Sequence, residues 1–281
     1  MKCPICQRTG HQTWGKRNGY ELYQCVSCTH KFANLRNQEM PRNDPNLFRE
    51  EFTHGLMASD VQYYEHLAAG EGIGKPTMVT TEHILDLCRR NGVNFSGSWL
   101  DVGSGSGHLL SQVQKAGFTA LGIEPGGWGK IAAERKGLNI IQDFLSRNTF
   151  SQNFDVVSAT DVVEHVPNPV EFLELLTGYV TPGGHIIITI PFADSLEAKL
   201  MGDRWDMVEP PTHCQFFSMR SLKLAFQKAG MKMIDSRQFN IRNMRGLSRY
   251  SSLRRILDTF VPGPQFACLA QRIDRAPVSK N

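Results

Sequence analysis

Three groups of residues in this 281-residue chain have types and spacings that can do chemistry. The first is Cys3-Pro-Ile-Cys6 and, eighteen residues on, Cys25-Val-Ser-Cys28. Two C-x-x-C pairs at that separation can turn four thiolates toward one ion, and four thiolates close a tetrahedron around zinc (Zn2+) with no coordination position left open. The second is Asp101-Val-Gly103-Ser104-Gly105-Ser-Gly107, a glycine-rich turn after an apolar stretch, with Glu124 seventeen residues beyond Gly107. Glycines let a backbone approach a ligand closely, and an acid at that offset can accept from ribose hydroxyls. The third is a pair of imidazoles, His165 after Asp161-Val-Val-Glu164, and His213 in Pro211-Thr-His213-Cys214. Either can take a proton near neutral pH. Asp161 and Glu164 with His165 could also bind a divalent ion.

These groups need elements to hold them. The residues Tyr20 to Cys25 alternate as a ribbon strand does, so residues 1–33 read as a small zinc ribbon, with zinc standing in for a core too small to form by itself. His11 and His30 are bystanders to that ion. Polar residues with Pro41 and Pro45 then mark a linker. Spaced apolar residues up to Leu67 predict one or two short helices, giving 34–75 as linker and N-terminal helices. Thr80 to Cys88 predicts an amphipathic helix stopped at Asn91-Gly92.

From about residue 76 to 275, strand and helix signals alternate, which predicts an α/β domain with a doubly wound, mostly parallel sheet. Strands are expected at 99–102, 120–123, 138–141, 154–158, 185–190, 232–236 and 267–271. Helices are expected near 108–116, 128–136, 169–179 and 219–229. Two insertions stand out. Residues 192–217 form a connection long enough to be an acceptor lid, with Trp205 either its wall or simply packed. Residues 240–262 carry Arg242, Arg245, Arg249, Arg254 and Arg255 among apolar residues, a basic amphipathic pattern suited to an anionic substrate, a peripheral membrane contact or a solvated helix face.

Composition excludes several classes. Hydrophobic residues are 41% and charged residues 21%, so the chain can bury a core and is not a disordered tail. The charge balance, 31 − 27 = +4, falls short of what coats nucleic acid. No apolar run approaches the roughly 20 residues needed to span a bilayer. Seven cysteines, four of them paired as metal ligands, and the absence of an apolar stretch after Lys2 give the expectation of a cytoplasmic protein.

The glycine pattern separates two cofactor classes. Dinucleotide sites use G-x-G-x-x-G, and the position of the last glycine is His108 here; the pattern is G-x-G-x-G. With it, Gly122-Ile-Glu124, Asp143-Phe144, Asp155 to Val166, Thr181-Pro-Gly-Gly184 and Ile188 to Pro191, the chain resembles the class I S-adenosylmethionine-dependent methyltransferases over about residues 60 to 240. The variety it is most similar to is the ubiquinone-biosynthesis type of small-molecule methyltransferase, which carries an Asp-x-x-Glu-His-Val element and a late Pro-x-His segment.

The resemblance implies a Rossmann-like methyltransferase domain with S-adenosylmethionine over Gly103, Gly105 and Gly107. It implies Asp101 near the cofactor's ammonium, Glu124 on the ribose, Asp143 and Phe144 at the adenine, and Thr160 lining the pocket. Ser104, Pro125 and Asp161 fall among the cofactor-contacting positions. Tyr63 and Tyr64 stand where related enzymes place an aromatic lid, or are packing residues. The acceptor reads as a small molecule or a saccharide. An RNA methyltransferase using the ribbon and the arginines to bind RNA is the alternative, although no Asn-Pro-Pro-Tyr type element follows the fourth strand. A dinucleotide oxidoreductase and a noncatalytic adaptor fit less of the pattern.

Overall fold

A computed structural model describes residues 1–35, 75–127, 134–240 and 263–273. The helices expected before residue 75, Tyr63, Tyr64 and the arginines of 240–262 lie outside these residues. The large sheet has seven strands in the order β10-β11-β8-β7-β4-β5-β6. These are β4 (Ser98–Val102), β5 (Thr119–Ile123), β6 (Ile140–Ile141), β7 (Phe154–Thr160), β8 (Val180–Pro191), β10 (Met231–Phe239) and β11 (Gln265–Arg272). The pairings from β6 through β8 are parallel, and β11 runs antiparallel to both β8 and β10. This is the doubly wound sheet expected from the alternation of signals, with one strand reversed.

Strand order changes direction between β4 and β7, so a crevice opens beyond their carboxyl ends, where open α/β sheets take ligands. The apolar stretches that form β4, β7 and β8 are buried on both faces, as parallel strands between helices must be. On one face α1 (Lys75–Arg90) and α2 (His108–Ala116) pack over Trp99, Val156, Ile187 and Leu269. On the other, α3 (Pro169–Gly178) and α5 (Met219–Lys228) cover Val157, Ile186 and Ile188.

Two boundaries differ from the expectation for physical reasons. β8 begins at Val180 rather than at residue 185, taking in Thr181-Pro-Gly-Gly184, because a register shift opposite Phe154 and Val156 absorbs the turn-like glycines. β6 is two residues long instead of four; Leu138 points into the core ahead of it, and its burial comes from packing rather than pairing. The helix expected near 128–136 is described only from residue 134.

The second sheet is where the N-terminal cysteines sit. β1 (His11–Arg17), β2 (Tyr20–Cys25) and β3 (Lys31–Ala33) form an antiparallel ribbon, and a fourth strand, β9 (Gln215–Phe216), joins it from the 192–217 insertion. The same insertion contains a short helix, α4 (Leu196–Met201). Ribbon and large sheet share a core: Cys3, Ile5, Cys28 and Phe32 belong to one buried cluster with Phe217, Leu222 and Phe226.

Candidate functional site

The turn after β4 is built by its glycines. Gly103, Gly105 and Gly107 all have positive φ, at 71°, 50° and 70°. Gly103 and Gly107 are also hemmed in: a Cβ on Gly103 would lie 2.6 Å from Val162 Cγ2, and one on Gly107 would lie 2.4 Å from Leu138 Cδ1. Gly105 differs, because a Cβ there would meet nothing within 4 Å. The loop therefore turns one bare glycine toward open space and uses the other two to pack.

Glu124, at the end of β5, ties this loop down. Its buried carboxylate accepts from Gly105 N at 2.9 Å and Gly126 N at 2.7 Å. A carboxylate accepts about four hydrogen bonds, so these amides alone do not exhaust it. Beneath it Asp101 accepts from Ser158 Oγ at 2.6 Å, and Ser158 accepts in turn from Trp99 Nε1 at 2.7 Å. Burial pushes the Asp101 carboxyl up to about 7, against the hydrogen bond from Ser158 and with help from the Glu124 charge. Ser104 Oγ is buried without a partner.

The remaining positions fall around this loop. Pro125 follows Glu124, and Thr160 ends β7. Asp143 lies exposed two residues past β6, and its Oδ1 accepts from Phe144 N at 2.8 Å. An orphaned serine hydroxyl, an open glycine and two acids at the strand ends fit a cationic cofactor with a ribose and an adenine. The donors and acceptors required by the expected positions are present.

After β7 the chain makes a tight turn in which Asp161 has φ 54°. Asp161 is held by Thr189 Oγ1 at 3.0 Å and by Gln265 Nε2 at 2.5 Å. Solvent reaches this residue, yet protein surrounds its carboxyl on most sides. Desolvation raises its pKa, and Thr189, His213 and Gln265 pull it back. It is thus engaged across the sheet and is not grouped with Glu164 and His165 as the sequence suggested. His213 takes its place: single ligand atoms of Glu164, His165 and His213 all lie within 4.8 Å of one another.

Both imidazoles have fixed tautomers. Nδ1–H of His165 donates to Thr212 O at 2.8 Å, and Nδ1–H of His213 donates to Met207 O at 2.8 Å. Each ring therefore keeps Nε2 as its acceptor nitrogen. Glu164 is buried, with Oε1 4.0 Å from His165 Nε2 and Oε2 without a partner. Burial, and secondarily the Asp161 charge, holds the Glu164 carboxyl well above the usual carboxylate range. Burial and then His213 bring His165 down to about 4. The result is a buried, polar cluster that can accept a proton from an acceptor group or ligate a divalent cation. Gly103 packs on Val162, two residues before Glu164, so the cluster and the glycine loop are neighbours.

The four cysteines converge as their spacing implies. Sγ of Cys3 is 3.6 Å from that of Cys28, Cys6 and Cys25 are 3.4 Å apart, and all four lie within 4.8 Å. Zinc–sulfur bonds of about 2.3 Å in a tetrahedron would set sulfurs roughly 3.8 Å apart, so the donor set suits zinc. The Cys3 thiol's hydrogen bond brings Cys28 down to about 5, and that same bond together with burial pushes Cys3 up.

Of the two readings of Trp205, the structure shows the packed one: it is completely buried among Leu22, Ala33, Val208 and Phe216, where it packs the 192–217 insertion to the ribbon. His30 stands outside the cysteine cluster, is equally buried and donates from Nε2 to Gln215 Oε1 at 2.9 Å. Gln215, Thr189, Gln265 and Ser158 were not singled out by the sequence reading. Their partners lie 28 to 185 positions away, beyond any local pattern.

Residues 77–236 match the family model described as a methyltransferase domain. Among curated relatives, the chain is 31% identical over 144 residues to a ubiquinone biosynthesis O-methyltransferase of Actinobacillus pleuropneumoniae, covering 45% of this chain and 61% of that one. It is 28% identical over 153 residues to the enzyme of the same name from Vibrio vulnificus, covering 49% and 64%. The chain thus spans less than two thirds of these relatives' length. Among solved structures, Burkholderia thailandensis 1,6-didemethyltoxoflavin-N1-methyltransferase, with its substrate and S-adenosylhomocysteine bound, superposes with a TM-score of 0.53 at 12% identity over 95% of this chain and all of that one. A chain from the complex of the Haloferax volcanii Trm112 methyltransferase activator with a methyltransferase superposes at 0.55 and 13% identity, over 75% and 97%. Both show the same fold.

Proposed function

Because the chain belongs to the methyltransferase domain family, we propose that it is an S-adenosylmethionine-dependent methyltransferase acting on a small-molecule or saccharide-type acceptor, with structural zinc on Cys3, Cys6, Cys25 and Cys28. The observation that carries this reading is adjacency: the glycine loop tied down by Glu124 packs through Gly103 on Val162, two residues before the Glu164, His165 and His213 cluster. When bound, the cofactor supplies an electrophilic methyl group on a sulfonium. Gly103, Gly105 and Gly107 would give its methionine portion close backbone contact, Glu124 would hold the ribose, and Asp143 with Phe144 would hold the adenine. Such a displacement asks the protein mainly for alignment and exclusion of water. His213 Nε2 receives the proton of a hydroxyl acceptor, and the neutral His165 beside it accepts a hydrogen bond or ligates.

A second reading of the cluster follows from the unpartnered Glu164 Oε2: with two imidazole Nε2 atoms it suits a divalent cation that would orient an acceptor with neighbouring oxygens. The names of the curated relatives support a small-molecule acceptor. The RNA alternative has one observation in its favour, a groove of about 480 Å³ lined by Arg8, Arg220, Lys223 and Lys228. Among the described residues no helix is long and apolar enough to cross a membrane. The test is calorimetric titration with S-adenosylmethionine and NAD, followed by transfer of labelled methyl to pools of phenols, sugar nucleotides and RNA. Binding of S-adenosylmethionine alone, with label in the small-molecule pools, is expected. Label confined to RNA would favour the alternative, and binding of neither cofactor would remove the enzyme reading.

A further inference from the structure

We propose that the four-cysteine ribbon is the positioning element of the acceptor side of the crevice, acting through the His30–Gln215 bridge, so that metal in the ribbon decides where His165 and His213 stand. The inference rests on the reading of that cluster as the acceptor site. Its physical basis is the strand that immediately follows His213. β9 pairs with β3, Lys31 opposite Phe216 and Phe32 opposite Gln215, and Ala33 N donates to Cys214 O at 3.0 Å. The segment two residues past His213 is therefore an edge strand of the ribbon's own sheet.

Gln215 joins this sheet to the turn after β7. Its Oε1 accepts from His30, while its Nε2 donates to Val166 O at 3.1 Å and Pro167 O at 3.2 Å. Only a side chain with both an acceptor and a donor can make this bridge, and an amide has both. Beside it, Cys214 N and Gln215 N both donate to Glu164 O, at 2.9 and 3.0 Å, and His165 is held by Thr212 O. The two segments that carry the cluster are thus clamped to each other, and the clamp is anchored to the ribbon through one buried imidazole. His30 Nδ1 lies 3.4 Å from Ser221 Oγ, and its ring packs on Phe217 at 4.8 Å between centroids.

Further contacts bind the rest of the insertion. Thr29 Oγ1 meets Ser218 Oγ at 2.7 Å, Asn18 Nδ2 donates to Pro210 O at 3.1 Å, and Trp14 packs edge-on against Phe216 at 5.4 Å. Leu22 and Ala33 of the ribbon share a buried cluster with Ala193, Ala198, Trp205 and Val208 of the insertion. A ribbon of this size depends on its metal for its fold. Losing the metal would release β3, and with it the partner of β9. The cofactor side has no such dependence: Gly103, Glu124 and Asp101 are held by β4, β5 and β7.

The experiment uses the full zinc-loaded chain before and after zinc chelation, with hydrogen exchange followed by mass spectrometry and S-adenosylhomocysteine binding followed by calorimetry. Exchange in peptides spanning 159–167 and 205–217 is expected to rise at least tenfold on chelation, with peptides over 98–124 unchanged and S-adenosylhomocysteine affinity within threefold. Unchanged exchange at 205–217 would overturn the proposal, and so would a parallel loss of S-adenosylhomocysteine binding, which would make the ribbon a general support of the fold. A second arm uses Gln215→Leu, which keeps bulk and removes the bridge. It is expected to retain its zinc and to exchange faster at 159–167; full protection there would equally overturn the proposal. None of these readouts needs an acceptor, so a zinc-loaded chain that fails to bind S-adenosylhomocysteine would instead sink the methyltransferase reading while exchange still reports on the ribbon.

Discussion

His165 and His213 meet edge to face, with ring centroids 4.7 Å apart and planes at 67°. Two neighbouring imidazoles cannot both hold a proton cheaply, and here the cost falls on His165, which burial and its neighbour bring down to about 4. His165 is therefore neutral throughout the physiological range and is a weak base. A base that weak is a poor proton acceptor at neutral pH, so the proposed proton-accepting role falls to His213, with His165 proposed as a neutral ligand or hydrogen-bond acceptor.

This division of labour has a kinetic consequence. His213→Ala is expected to lower kcat by about 10²–10³-fold on a hydroxyl acceptor. His165→Gln is expected to cost less, because a group already neutral above about pH 4 is too weak a base to take the acceptor's proton. A larger loss of kcat in His165→Gln than in His213→Ala, measured with labelled methyl transfer, would reverse the assignment.

Glu124 holds the loop, and the proposed function gives it the ribose as well. Removing its carboxylate strips the acceptors of Gly105 N and Gly126 N and, on that proposal, those for the ribose. Glu124→Ala is expected to weaken S-adenosylmethionine binding about 100-fold, and Glu124→Gln about tenfold, since hydrogen bonds to a charged group contribute roughly 1.5–3 kcal/mol. Calorimetry checks both values, and equal affinity in wild type and Glu124→Ala would remove the residue from the site.

Asp101 carries a buried carboxyl that keeps its proton up to about pH 7, against an ordinary value of 3.8. Between these values the folded chain binds more protons than the unfolded one, so stability falls as pH rises, and the full penalty is present above pH 7. Asp101→Asn removes the ionisation while keeping an oxygen for Ser158. The variant is expected to be more stable than wild type at pH 8, by on the order of 2–4 kcal/mol, and to show little difference at pH 4. It is also expected to bind S-adenosylmethionine more weakly at pH 8, where the wild-type carboxylate faces the ammonium. Denaturant unfolding at the two pH values provides the comparison, and a larger gain at pH 4 than at pH 8 would contradict it.

The parts of the site that were legible in the sequence are those built by short-range rules. A glycine at a positive φ, an acid ending the next strand and a C-x-x-C turn each leave a fixed spacing, so Gly103 to Gly107, Glu124 and the four cysteines were found where the structure has them. The illegible parts depend on pairing between distant segments. β9 is two residues long, too short for any alternation to register, yet it joins the ribbon to the insertion and gives His30 its role. Asp161 read as a ligand with Glu164 and His165 because carboxylates and an imidazole stand close together in sequence, but the chain there is a tight turn. Thr189 and Gln265 from other strands claim its carboxyl. A buried histidine or glutamine spanning two sheets leaves no periodic trace.

The glycine loop offers a test that separates packing from binding within three positions. Gly107 and Gly105 both have positive φ, which costs any other residue about 1 kcal/mol, so that term is common to both. At Gly107 a methyl group would also fall 2.4 Å from Leu138 Cδ1 and 3.1 Å from Ile140 Cδ1, inside the core beneath α2. At Gly105 it would enter open space. Gly107→Ala is therefore expected to lose about 2–4 kcal/mol of stability, with weakened cofactor binding following from the disturbed loop. Gly105→Ala is expected to lose only about 1 kcal/mol while weakening S-adenosylmethionine binding at least tenfold, because the methyl occupies the face of the loop on which the cofactor would lie. Thermal unfolding without cofactor and calorimetry with it separate the two effects. A Gly105→Ala protein that binds as tightly as wild type would show that the open side of this loop is not where the cofactor rests.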